Sequence, residues 1–196
     1  FCSGDDLSEN PAGWNVEEVL RHVELLQDTT RLMLNMEKPV IAAVHGYALG
    51  AGCEWAMSAD IRLAAEGTQF GFPETNVGAG ITNCGTKLLP LLIGMGRAKW
   101  MVFTNERIDA VKAEQWGLVN FVVPPDRLDE TALTMLKKII ANSSLSIKLA
   151  KRQLNYGAYQ DYEQQFELEA HDVVLCLSGM EAKMRAKAAL ERTKKK

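Results

Sequence analysis

The stretch Lys38-Pro39-Val40-Ile41-Ala42-Ala43-Val44-His45-Gly46-Tyr47-Ala48-Leu49-Gly50-Ala51-Gly52-Cys53-Glu54 decides the fold class. Val40 to Val44 is a short apolar run bounded by turn residues, the pattern of a buried parallel strand. A turn rich in glycine follows (Gly46, Gly50, Gly52), and beyond it a helical stretch runs through Met57. Asp60-Ile61-Arg62-Leu63-Ala64 then reads as a second strand. Upstream, Val16, Val19, Leu20, Val23, Leu26, Thr30 and Met33 recur at helical spacing, with Asn15 as N-cap and Glu18 in the capping-box position. Downstream, Thr68 to Phe72 reads as a strand ended by Pro73, and helices are expected around Thr86 to Leu92 and Arg97 to Phe103. Asp109 caps a further helix that Gly117 ends, and Leu118 to Val123 is a final apolar strand. Interleaved strands and helices imply an α/β layer fold with a parallel element.

Past Pro124-Pro125 the pattern changes to helix formers with no further proline. This predicts a core over residues 1–124 and a C-terminal helical region, serving as lid and oligomerisation element, over 125–196. The first residue is Phe1, and Phe1-Cys2-Ser3-Gly4-Asp5-Asp6-Leu7 reads as the end of a strand entering a polar turn. The chain is therefore expected to be a fragment lacking its N-terminal part.

The whole chain has 196 residues, 47% apolar and 24% charged, enough to bury a core without disulfides. Lysine plus arginine (22) against aspartate plus glutamate (25) gives a formal charge of −3 and a pI near 5.7, which argues against nucleic-acid or membrane partners. No apolar run approaches the ~20 residues of a membrane span. Cys2, Cys53, Cys84 and Cys176 have neither C-x-x-C spacing nor a histidine at metal distance, so no metal site is expected and a reducing, cytoplasmic setting is favoured. Cys53 and Cys84 are read as packing residues, as are Trp55, Trp100 and Trp116. His22, His45 and His171 have no companions at triad or metal spacing and are read as surface or satisfied core histidines.

Two carboxylates stand out. The turn before the helix leaves backbone N–H groups free at a positive helix end, donors suited to an oxyanion. Glu54, three positions after Ala51, falls on the same face. The same features serve close packing and dipole complementation, so this segment alone leaves both readings open. Glu74, in Phe70-Gly71-Phe72-Pro73-Glu74, is a carboxylate at the end of an apolar segment, where its pKa would rise toward neutrality. Alternatively it is a solvated loop acid.

At these residues the chain resembles the crotonase (enoyl-CoA hydratase/isomerase) family. The matching segments are Phe1 to Leu7, Lys38 to Glu54, Ala59-Asp60-Ile61-Arg62, Gln69 to Glu74, Gly94 with Arg97-Ala98, and Ala113 to Val119. The resemblance implies a ββα spiral core with a C-terminal helical region, assembled as a homotrimer or dimer of trimers. It implies an enoyl-CoA hydratase of the cytoplasm or mitochondrial matrix, with an acyl-CoA thioester as substrate and no cofactor beyond the coenzyme A the substrate carries. The backbone N–H groups of Asp5 and Ala51 would form the oxyanion hole. Glu54 would orient and deprotonate water, and Glu74 would deliver a proton to the α-carbon. Alternatives are an enoyl-CoA isomerase, another CoA-thioester hydrolase or lyase, and a non-catalytic interaction module.

Three departures from the family pattern matter. Asp5 stands where a small residue is common, adding a carboxylate beside a developing anion unless it points away. Ile81-Thr82-Asn83-Cys84-Gly85 replaces a run of small residues, which places Ile81, Thr82 and Asn83 in the substrate pocket and suggests a polar, branched or ring-bearing acyl group. Lys194-Lys195-Lys196 is read as a solvated tail rather than a nucleotide-phosphate contact.

Overall fold

The computed structural model describes residues 1–6, 8, 13, 15–157 and 159–193. The Lys194-Lys195-Lys196 tail and much of the expected Glu9 to Gly13 loop lie outside the described residues.

By compactness the chain divides into one unit made of Phe1–Met36 with Val40–Leu136, and a second made of Glu37–Pro39 with Lys137–Lys196. The first unit thus runs past the double proline into a helix whose Leu128 packs with Leu63 and Ala65.

In the first unit, α1 (Val16–Asn35) opens on the expected capping box. The Asn15 side chain accepts from the Glu17 and Glu18 amides, and the Glu18 carboxylate accepts from the Asn15 N–H at 2.8 Å. Such a cap contributes about 1 kcal/mol. The periodicity located the helix but overstated its burial: Thr30 is buried, whereas Val16, Val19 and Leu20 are exposed. Strand β1 (Ile41–Val44) leads to β2 (Tyr47–Leu49) and α2 (Ala51–Ser58), and β3 (Ile61–Ala65) to β4 (Gln69–Gly71) and α3 (Gly85–Ile93). After α4 (Met95–Thr104) come β5 (Ile108–Asp109), α5 (Ala110–Trp116), capped by Asp109 and ended by Gly117 in the left-handed region, and β6 (Phe121–Val123).

Each ββα turn gives one strand to each of two sheets. The first sheet, β1-β3-β6, is parallel throughout; the second, β2-β4-β5, is parallel between β2 and β4 and antiparallel between β4 and β5. The glycine-rich segment read as a turn therefore contains β2, too short at three residues to show a period.

Helix α2 is buried on nearly every side, as its Ala, Gly and Cys residues allow, and packs with Val44, Ala48, Phe70, Phe72 and Met101. Its C-terminal end is held by Arg62, only 4% exposed. The guanidinium donates to the carbonyls of Ala59 (2.6 Å), Leu118 (2.7 Å) and Met57 (3.3 Å). Nearby, the Asp60 carboxylate accepts from the Val40 N–H at 2.7 Å. The Ala59-Asp60-Ile61-Arg62 motif is thus a clasp between α2 and the first sheet.

The second unit is built on α7 (Ser144–Gly157), α8 (Tyr162–Ser178) and α9 (Met180–Thr193), following α6 (Leu128–Ile140). Its polar centre is Asp172, a buried carboxylate that accepts from Arg152 (2.5 Å) and Gln153 (3.0 Å) and meets His171 at 3.2 Å. No described helix is long and apolar enough to cross a membrane.

Candidate active site

The chain reverses from β2 into α2 at Gly50, whose φ of 54° and ψ of −129° fall in a region that side chains with a Cβ avoid. Its N–H is fixed to the Gly71 carbonyl at 3.0 Å, tying the ends of β2 and β4 together. Ala51 is therefore the first helical residue, and its N–H has no intrahelical acceptor. Beside it runs the Cys2–Asp5 segment, which pairs with β2: the Cys2 N–H donates to the Tyr47 carbonyl (2.9 Å) and the Leu49 N–H to the Cys2 carbonyl (3.0 Å). Close approach depends on glycine. A Cβ on Gly52 would stand 2.3 Å from the Cys2 carbonyl oxygen, and one on Gly4 would stand 3.0 Å from the Leu49 oxygen and 3.8 Å from the Ala51 nitrogen. Asp5 and Ala51 are thus brought to one wall of a cleft of about 240 Å³ that Glu54 and Glu74 also line.

Glu54 rises from the first turn of α2 and is 1% exposed. One carboxylate oxygen accepts from the Thr82 N–H (2.9 Å) and the other from the Asn83 side-chain amide (2.8 Å). Burial pushes its pKa up to about 7, with the Glu74 and Asp5 charges adding to the rise while the two donors oppose it. Gly85 lies against it, since a Cβ there would stand 2.7 Å from a Glu54 carboxylate oxygen.

Glu74 begins a 3-10 turn (Glu74–Val77) directly after β4 and Pro73; Thr75 anchors the turn by donating to the Val102 carbonyl of α4 at 2.9 Å. The Glu74 carboxylate points back over Gly50, with one oxygen 3.1 Å from where a Cβ would stand, and both its oxygens are buried without a hydrogen-bond partner in the protein. Burial raises its pKa as well. Two carboxyls whose charged forms are disfavoured by burial thus line one cleft, and the Glu74 charge adds to the rise at Glu54.

The expected pocket residues separate. Thr82 lines the cleft, and its hydroxyl accepts from the Gln27 amide of α1 at 3.0 Å. Ile81 is half-buried, its methyl close to Gly85. Asn83, 1% exposed and at a left-handed φ of 49°, spends its amide on Glu54. Of the two residues behind the expectation of a polar, branched or ring-bearing acyl group, Thr82 lines the cleft and Asn83 supports the Glu54 carboxylate.

Two other expectations change, those for Cys84 and Trp100. Cys84 is exposed, at a left-handed position at the N-terminus of α3, whereas Cys53 packs in the core as expected, fully buried, and burial pushes its thiol far above the ordinary range. Trp100 is partly exposed, stacking edge-on with Trp116 at 5.6 Å while the Lys112 ammonium sits 4.9 Å from each ring centre. His22, read as a surface or satisfied core histidine, is part-exposed and its Nε2 lies 3.0 Å from the Asp5 carboxylate at the cleft, a pairing across 17 residues that sequence spacing does not reveal. Among the described residues, no group of three His, Cys, Asp or Glu could hold a metal ion.

A ββα spiral with a helix N-terminus and two buried carboxyls at one cleft defines a class of protein. The chain belongs to the enoyl-CoA hydratase/isomerase family, whose sequence model matches residues 1–196. It is 40% identical to the short-chain-enoyl-CoA hydratase of Clostridium acetobutylicum over 99% of this chain and 74% of that protein. It is 42% identical to the crotonyl-CoA hydratase of Syntrophomonas wolfei over 86% of this chain and 65% of that protein. Among solved structures, an enoyl-CoA hydratase from Bacillus anthracis superposes with a TM-score of 0.93 at 35% identity, over 98% of this chain and 74% of that one.

Proposed function

We propose that the chain is an enoyl-CoA hydratase that adds water across the 2,3 double bond of a short-chain enoyl-CoA. The observation that carries this reading is the pair of buried, pKa-raised carboxyls on one cleft beside the Ala51 N–H, which has no acceptor within its own helix. Both nearby relatives named above are hydratases of short-chain substrates, in keeping with a small cleft.

In this reading the thioester oxygen accepts from the Asp5 and Ala51 N–H groups. The water oxygen bonds to C3 while Glu54 takes one of its protons. The π electrons move toward the thioester oxygen, giving an enolate whose charge the two N–H groups favour over the neutral ground state. Glu74 then gives its proton to C2, so the elements of one water are added. The division of roles follows from the donors: Thr82 and Asn83 donate to the Glu54 carboxylate and favour its ionised form against the burial that raises its pKa, whereas the Glu74 carboxyl, without such donors, is suited to carry the proton. No cofactor is needed beyond the coenzyme A of the substrate. Assembly as a homotrimer or dimer of trimers is supported by apolar side chains left exposed on α8, among them Phe166, Val174 and Leu177. The four free thiols suit a reducing compartment such as the cytoplasm or mitochondrial matrix.

The test is hydration of crotonyl-CoA, followed as loss of the conjugated thioester absorbance. Glu54→Gln and Glu74→Gln should each lower kcat by at least about 100-fold, since each keeps shape and removes proton transfer. Full activity in both variants would reject the assignment.

A further inference from the structure

Building on the hydratase reading, we infer that His22 is a positioning residue of the oxyanion site, holding the Asp5 carboxylate so that it does not swing onto the oxygen on which the enolate charge develops. Asp5 lines the cleft and has two opposed properties: in the hydratase reading its backbone N–H is a donor to the thioester oxygen, while its side chain brings a carboxylate charge to the same cleft. That charge is felt in the site, for it contributes to the raised pKa of Glu54. A mobile carboxylate on the residue that supplies the donor would repel a developing oxyanion.

Two contacts manage the acids here. Asp6 is engaged locally, accepting from the Ser8 N–H (2.8 Å) and hydroxyl (2.7 Å). Asp5 is held instead by α1, with His22 Nε2 at 3.0 Å from its Oδ2. Among the described residues lining the cleft there are four carboxyls, Asp5, Asp6, Glu54 and Glu74, and His22 is the one basic side chain set against them. Because Asp5 is an acceptor, the imidazole donates through Nε2, and this bond both orients the carboxylate and offsets its field. His22 touches no reacting atom in this account; it acts only through Asp5.

The experiment is a cycle on crotonyl-CoA hydration: His22→Ala in the native background and again in an Asp5→Ala background, with His22→Gln as the variant that retains an N–H donor. The expected result is a fall in kcat of about tenfold from His22→Ala when Asp5 is present, less than about twofold when Asp5 is already Ala, and recovery of most of the loss in His22→Gln. Equal losses in the two backgrounds, or no loss in the first, would overturn the proposal. A second readout does not depend on hydration: acetoacetyl-CoA forms an enolate, and the enolate fraction seen by absorbance on binding should follow the same pattern. A native chain that binds this enolate in the expected pattern but fails to hydrate crotonyl-CoA rejects the hydratase reading and keeps the His22 role. Hydration without the pattern does the reverse, and a chain that shows neither loses both.

Discussion

At the scale of single residues, Glu54 sets the pH behaviour of the site. With its pKa raised to about 7 from an ordinary 4.5, the folded protein holds that proton more tightly than the unfolded chain. Stability therefore falls as pH rises from about 4.5 through 7 and Glu54 ionises in place. Glu54→Gln should remove this slope and melt at a higher temperature than the native chain at pH about 8, while the two converge at lower pH. The buried Asn83 oxygen, which lacks a partner, can accept from the new amide if the Asn83 side chain turns over. For catalysis the sign is opposite. A base must be ionised, so kcat/KM should climb with pH through about 7. Asn83→Ala deletes a donor to the ionised form, and this rising limb should move to higher pH by about one unit, read from the pH profile of kcat/KM. No displacement of the limb would refute the role given to Asn83.

At the scale of elements, the close crossing of the Cys2–Asp5 segment over α2 makes a sharp prediction. Gly52→Ala should favour the helix by about 1 kcal/mol in intrinsic propensity, yet its Cβ cannot share space with the Cys2 carbonyl. The segment must back away and carry the Asp5 amide with it. We expect kcat to drop about 100-fold, the cost of losing one oxyanion donor, with the circular dichroism spectrum unchanged. Native activity in that variant would disprove the placement of the Asp5 amide. This element also marks how far the sequence could be read. The strands Val40 to Val44 and Asp60 to Ala64, the capping box and the Asp109 cap were legible because each depends on neighbours within a few residues. The two carboxylates were legible as chemistry but reached full definition through the family resemblance. What was hidden depends on distant contacts: β2 is recognisable only beside β4, Asn83 only once α3 is packed on α2, and Arg62 only as the cap of a helix that precedes it. The Asp5 and His22 pair is hidden for the same reason.

At the scale of the whole molecule, the two compact units answer acid differently. In the second, burial alone would raise the Asp172 carboxyl, but bonds from Arg152, His171 and Gln153 outweigh it and hold the group below the usual range. A depressed pKa gives stability that is present above the ordinary carboxylate range and lost as pH falls through the folded value. Asp172→Asn should thus destabilise the second unit at neutral pH and flatten its loss of stability in acid, measured by hydrogen exchange in α7 and α8. An acid transition identical to that of the native chain would contradict this. In the first unit, by contrast, acid relieves the buried glutamates. Helix α2 concentrates the demands: its first turn carries the proposed oxyanion donor and the proposed base, its side chains fill the core, and its last carbonyls rest on Arg62. A lineage retuning this enzyme toward another thioester would therefore find its freedom in the 74–83 segment, leaving the helix almost invariant as substrate preference drifts around it.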